Sequence, residues 1–146
     1  MNHFPIWHVI NTSTNSVNLY KSDESNYIVT KDGEWTPIIA CGIYVVINQP
    51  LLSFFQQHLD VQISSHAISI YDRESNQYFE GYYRIYIENR ITSGTLDMVD
   101  HTGMNIWCHE GSGGIFISSA MKSALDESDI EGVETIPGFS GYGGAV

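Results

Sequence analysis

The stretch from Gly114 to Phe139, GIFISSAMKSALDESDIEGVETIPGF, reads as a strand, a short helix and a second strand. Gly114 to Ile117 is an apolar run of strand length. Ser118 or Ser119 follows where a helix N-cap belongs, with a side-chain oxygen able to accept from a free N–H of the first turn. Ala120, Met121, Ala124 and Leu125 fall at i, i+1, i+4 and i+5, one apolar stripe of a helix. Gly132 to Ile136 reads as the returning strand. Before and within it, Asp126, Glu127, Asp129, Glu131 and Glu134 crowd into nine residues, and no lysine or arginine follows Lys122. Acids in the last turn of a helix oppose its C-terminal partial charge, at ~0.3–1 kcal/mol each. Such a segment is either a solvated acidic edge or a surface that meets a cationic partner.

Working outward, Pro5 to Ile10 reads as an opening strand ended by the turn-forming run Asn11 to Ser16. Val17 to Tyr20 and Tyr27 to Thr30 are short strand candidates. Lys31-Asp32-Gly33-Glu34 contains Asp-Gly, a hairpin signal. Ile43 to Ile47 is β-branched and apolar, which predicts a buried central strand. Pro50 opens a helix running to Leu59, with Leu51, Leu52, Phe55 and Leu59 on its buried face. His66 to Tyr71 and Gln77 to Ile87 are strands joined by the turn cluster Asp72 to Asn76. In the second, Phe79, Tyr83, Ile85 and Ile87 are predicted to face a core. Tyr78, Glu80, Tyr82, Arg84, Tyr86 and Glu88 form an aromatic and charged face, which makes Tyr82 and Tyr86 contact candidates. Further strands are expected at Gly94 to Val99 and Asn105 to His109. The fold class is α+β, mainly antiparallel sheet with two short helices, in a single domain over residues 1–139. Residues 140–146 read as a flexible Gly-rich tail, too poor in apolar surface to offset the entropy of ordering it.

The chain has 146 residues, of which 42% are hydrophobic and 12% aromatic, and this excludes a disordered chain. Six basic residues against seventeen acidic ones give a net charge of −11. A field of that sign repels nucleic acid and anionic lipid and attracts cations, so neither nucleic acid nor membrane is expected as a partner. The opening MNHFPIWHVINTSTN has no basic segment and no sustained apolar run. A cytoplasmic location is therefore expected, with Cys41 and Cys108 as reduced thiols.

No residue pattern carries catalytic chemistry. His101, Cys108, His109 and Glu110 lie within ten residues, but Cys108 and His109 are adjacent in a strand and point to opposite faces. Ligand spacings such as Cys-x-x-Cys are missing, so no metal or cofactor is expected. Either cysteine could be paired with one of six histidines, but no flanking motif marks a dyad. Gly111-Ser112-Gly113-Gly114 lacks the nucleophile-elbow pattern and leads into a strand, where no helix dipole would hold a phosphate. Trp7 and Trp107 are expected in the core. Carboxylate pairs such as Glu80 and Glu88, or Asp97 and Asp100, together with Trp35, Trp107 and the tyrosines, leave two alternatives open: a carbohydrate-binding module or a small enzyme. The expectation is a protein without catalytic residues.

The order Phe116-Ile117-Ser118, then Lys122 and Leu125, then Ile130-x-Gly132 and Ile136-Pro137, resembles the C-terminal end of bacterial polymorphic-toxin immunity proteins of the myxobacterial type. Ile43 to Ile47 followed by a helix at Pro50 to Leu59 is similar to that family's strand-then-helix start, and Gln77 to Ile87 to its long aromatic strand. The resemblance runs from about Ile38 to Phe139, and leaves out the N-terminal third and the segment from Ser140. It implies a single-domain, non-enzymatic protein that binds and neutralises a cognate toxin. With the acidic excess, the expected partner is a basic toxin domain. Asp126, Glu127, Asp129, Glu131, Glu134, Tyr82 and Tyr86 are the expected contact residues.

Overall fold

The computed structural model describes residues 6–92 and 102–138. Within them lie β1 (Ile6–Asn11), β2 (Asn18–Lys21), β3 (Asn26–Lys31), β4 (Ile38–Cys41), β5 (Tyr44–Asn48) and α1 (Gln49–Leu59). There follow β6 (Ile63–Asp72), β7 (Gln77–Ile87), β8 (Arg90–Ile91), β9 (Ile106–His109), β10 (Ile115–Ser118), α2 (Ser119–Asp126) and β11 (Val133–Pro137). One sheet has the order β11-β1-β10-β9-β8, and a closed barrel has the order β2-β3-β6-β7-β5-β4. Pairing is antiparallel except for β2–β4, β3–β6 and β8–β9. The protein is α+β with two short helices. No helix among the described residues is long and apolar enough to cross a membrane.

The Gly114–Phe139 stretch does supply a strand, a helix and a strand, but its two strands do not touch. β10 and β11 pair antiparallel with opposite sides of β1, and α2 carries the chain across. In the apolar stripe of α2, Met121 and Leu125 are buried and Ala124 packs beside them, while Ala120 is exposed. Ser118 sits at the N-cap position, but its side chain does not cap. Its hydroxyl instead donates to the Gly103 carbonyl at 2.7 Å and accepts from the Asn105 N–H at 3.0 Å. A long-range pair of bonds has won over the local one.

Two cores result. Between sheet and barrel, α1 buries Leu51, Leu52, Phe55 and Leu59 against Val9, Ile106, Ile115 and Ile117 on one side and Val45, Ile47, Ile85 and Ile87 on the other. Asn48 starts this helix, its side-chain oxygen accepting from Leu51 N–H at 3.1 Å, with Pro50 in the first turn. The second core fills the barrel with Val17, Leu19, Tyr27, Val29, Ile39, Val46, Ile68, Ile70 and Tyr82. Strand β5 contributes Val45 and Ile47 to the first core and Val46 to the second. Burial on both faces is why it reads as an unbroken apolar run. Asn11 joins the two halves: its amide donates to Ile38 O at 2.7 Å and its oxygen accepts from Ile38 N–H at 3.0 Å.

Several expectations are corrected by non-local pairing. Asp32-Gly33 is not a hairpin turn. Glu34 N–H donates to Asn15 O at 2.7 Å and Val17 N–H donates to Glu34 O at 3.0 Å, so the segment crosses over the start of β2. The barrel then closes through a parallel contact between Asn18 and Ala40. The hairpin turn is at Gly42–Ile43, where Gly42 has φ +60°, and Ile43 is exposed at its tip rather than buried in β5. In β7 the face pattern breaks at Gly81, φ +91°. There Ile68 opposes Tyr82 while Ile70 opposes Phe79, so an extra residue is inserted. The bulge turns Phe79 to the side of Tyr82, inside the barrel, while Tyr83, Ile85 and Ile87 keep the other face. The strand expected at Gly94 to Val99 and the tail at 140–146 lie outside the described residues.

Candidate functional site

The acidic segment begins where α2 ends. Lys122 Nζ lies 2.6 Å from Asp126 Oδ2, an i,i+4 ion pair, and 4.7 Å from the Trp7 ring centre. Trp7 Nε1–H donates to Ser119 Oγ at 3.2 Å, which holds the indole under the helix. Asp126 is therefore compensated by the last base of the chain, against the expectation of an unpaired cluster, because one helical turn brings the two side chains together. Glu127 caps the helix, and its N–H donates to Ser123 O at 3.2 Å. The Ser128 hydroxyl donates to Leu125 O at 2.6 Å and so takes one of the orphan carbonyls of the helix end. Glu127, Asp129 and Glu131 are exposed. Glu134 is exposed on β11 opposite Ile10, and its register sends it to the sheet face of His8, away from α2. The structure thus groups Glu127, Asp129 and Glu131 and separates Glu134 from them.

The aromatic candidates also divide. Tyr82 is buried in the barrel, its hydroxyl donating to Thr36 O at 2.8 Å, and burial pushes its phenol up to about 12. It is a core residue and not a contact residue. The strand alternation holds at this position, but the face that Tyr82 shares with Tyr86 is closed over by β2, β3 and β4 at Tyr82. Tyr86, farther along β7, is 38% exposed. Its ring centre lies 4.3 Å from the Arg84 guanidinium carbon, and its hydroxyl donates to Glu24 Oε2 at 3.4 Å. Tyr44, Lys21 and Glu24 join this group from β5 and from the end of β2 and its turn. Sequence reasoning missed them, since nothing local links β2, β5 and β7.

A cleft of about 500 Å³ opens between the sheet and the β4–β5 hairpin. His8, Asn18, Lys31, Cys41, Tyr44 and Ser112 line it, and its described lining has no carboxylate. His8 stacks on Phe116, with ring centres 4.6 Å apart and planes at 15°. Burial, and secondarily the charge of His109, lower its pKa to about 4. The folded state therefore holds His8 neutral, and the unfolded chain takes up a proton below pH 6.5 that the folded one refuses. The contribution of His8 to stability is complete above pH 6.5 and is lost as pH falls toward 4. Allowing for its partial exposure, the loss is on the order of 1–2 kcal/mol. Denaturant melts of the wild type and His8→Gln at about pH 7 and about pH 4.5 check this. The wild type should lose more stability between the two than the variant, and equal losses would show that His8 is not held neutral.

His109 Nδ1 and Ser112 Oγ are 2.9 Å apart, and Ser112 Oγ also accepts from Gly114 N–H at 3.2 Å. This is a local contact that ties the Gly-rich turn together. Cys108 faces the first core while His109 lies on the opposite sheet face, as adjacent strand residues must. No group of three His, Cys, Asp or Glu placed to hold a metal occurs among the described residues. Glu80 and Glu88 stand eight residues apart on and just beyond β7, ~26 Å along a strand, beyond the roughly 5–9.5 Å that a glycosidase pair spans. Asp97, Asp100 and His101 lie outside the described residues. Trp107 and Tyr82, two rings that a sugar platform would use, are buried. No family model, curated protein or solved structure matches this chain.

Proposed function

We propose that the chain binds a basic protein partner, in the manner of an immunity protein that neutralises a toxin domain by covering its active or substrate-binding surface. The observation that carries this reading is the exposed group Glu127, Asp129 and Glu131, which follows the ion-paired Asp126 and gathers three of the seventeen acids into one short surface segment. An acidic edge of this kind speeds encounter with a cationic surface and can stand where a phosphate-bearing substrate would bind. Tyr86, exposed on the barrel, offers a separate anchor of low rotamer entropy. The same proposal places the encounter in the cytoplasm, where the buried free thiols Cys41 and Cys108 stay reduced. It assigns the chain no catalytic residue and no cofactor.

The test replaces Glu127, Asp129 and Glu131 by lysine and leaves Asp126 with Lys122. Binding to the toxin-like product of the adjacent gene is followed by surface plasmon resonance at two ionic strengths. Circular dichroism should be unchanged, because these side chains are exposed. Association should slow by about tenfold or more at low salt and by much less at high salt, since such charges act chiefly on the on-rate. Equal association rates for variant and wild type at both salts would reject this surface.

A further inference from the structure

Strands β6 and β7 run on past the barrel. β3 pairs with β6 only at Asn26, Tyr27 and Ile28, opposite Ser69, Ile70 and Tyr71. Beyond that contact the barrel-side face of β5, β7 and β6 meets the β2–β3 turn, where Ser25 Oγ lies 2.9 Å from His66 Nε2 and Glu24 meets Tyr86, and it stays half-exposed. It presents Tyr44, Arg84 and Tyr86, with His66 and Ser64 as the cross-strand partners of the last two. The guanidinium carbon of Arg84 lies 4.4 Å from the Tyr44 ring centre and 4.3 Å from that of Tyr86. Lys21 Nζ approaches the same Tyr44 ring at 5.2 Å. Two of the six bases of an acidic chain thus converge on one tyrosine.

Arg84 makes no ion pair among the described residues, and its Nε is buried without a hydrogen-bond partner. The hydroxyl of buried Tyr27 faces the Arg84 guanidinium without forming a well-aligned bond, and the Arg84 charge, together with a weak hydrogen bond from it, opposes the effect of burial on the phenol. A guanidinium that stacks on rings, pairs with no carboxylate and meets only a phenol hydroxyl is set up for planar oxyanion recognition. Glu24 shows what the rim already holds. Its carboxylate accepts from Lys21 Nζ at 2.9 Å and from the Tyr86 hydroxyl at 3.4 Å, and it reaches Lys21 rather than Arg84.

We propose that the Tyr44–Arg84–Tyr86 shelf, with Lys21 at its rim, is a binding site for an oxyanion group, a carboxylate or a phosphate, that pairs with the Arg84 guanidinium. The site is on the barrel, apart from the acidic end of α2, and does not depend on the partner proposed for that end. Glu24 is the internal competitor of the bound group.

Titrations of ¹⁵N-labelled protein with sodium acetate, sodium phosphate and a short glutamate-containing peptide are compared with sodium chloride at equal ionic strength. The readouts are the Arg84 side-chain Nε–H signal and the Tyr44 and Tyr86 amides. Saturable shifts are expected with an oxyanion and not with chloride. Arg84→Lys keeps the charge but not the donor fork, and should weaken binding about tenfold or more. Glu24→Gln should tighten it severalfold, and Lys31→Met, on the far part of β3, should leave it unchanged. Saturation by phosphate alone identifies a phosphate-bearing ligand, and saturation by acetate and peptide a carboxylate-bearing one. Either upholds the site. Shifts that chloride reproduces, or that Glu24→Gln leaves unaltered, would overturn it, and this second criterion holds even if Arg84→Lys fails to fold.

Discussion

Phe55→Ala is expected to lower stability by about 3–5 kcal/mol, the range for deleting a whole buried ring. Phe55 is fully buried on α1, the layer between the sheet and the outer face of β5 and β7. It belongs to the core cluster that both halves of the chain build, so its loss leaves a gap between close-packed walls. The cost is the transfer energy of the ring plus an unfilled cavity. For a chain of this length the melting temperature should fall on the order of 10 °C. Val61→Ala, at a side chain 85% exposed, should stay within ~0.5 kcal/mol. The melt also reports on architecture, because sheet and barrel share this core and should unfold in one step. A loss below ~1 kcal/mol would show that α1 does not clamp the two, and a second transition would show that the barrel folds by itself.

Gly33→Ala is expected to cost about 2–3 kcal/mol, the range of an overpacked site, although Gly33 has an ordinary φ. A Cβ there would stand 2.5 Å from Asn15 O and 2.8 Å from Ser16 C, both main-chain atoms. Neither can rotate away, so relief requires the crossing of 32–37 over the start of β2 to lift. That crossing carries the Glu34 bonds to Asn15 and Val17 and sets up the contact between Asn18 and Ala40 that closes the barrel. Gly42→Ala is the matching control. Gly42 has φ +60° with nothing within 4 Å of a Cβ, so only left-handed strain of ~1 kcal/mol is expected. Denaturant unfolding of both variants separates the two causes. If Gly42→Ala proves the worse, the close approach at Gly33 is not what holds the crossing.

Local chemistry determined a good deal by itself. The helix at Pro50 to Leu59 was legible because the apolar period and the proline agree, and tertiary packing then used the same stripe. The buried strand before it, the long β6–β7 hairpin and the strand–helix–strand of Gly114–Phe139 were readable for the same reason, since each is specified by neighbours a few residues away. The exposure of Glu127, Asp129 and Glu131 was legible too, because carboxylates without partners stay in water.

What the tertiary structure decided are the choices between non-local partners. Asp32-Gly33 has hairpin chemistry, yet Gly33 lies close against the main chain of Asn15 and Ser16 and the next residue, Glu34, bonds to Asn15 and Val17. Tyr82 and Tyr86 share one strand face, but β2, β3 and β4 close over the first and stop short of the second. A period of two cannot say where a sheet curls into a barrel. Ser118 has the chemistry of a cap and spends it on Gly103 and Asn105. The meeting of Lys21, Tyr44, Arg84 and Tyr86 depends on the register of β5 with β7 and on the path of β2. Those pairings are fixed by burial summed over both cores, and no short window of sequence contains that sum.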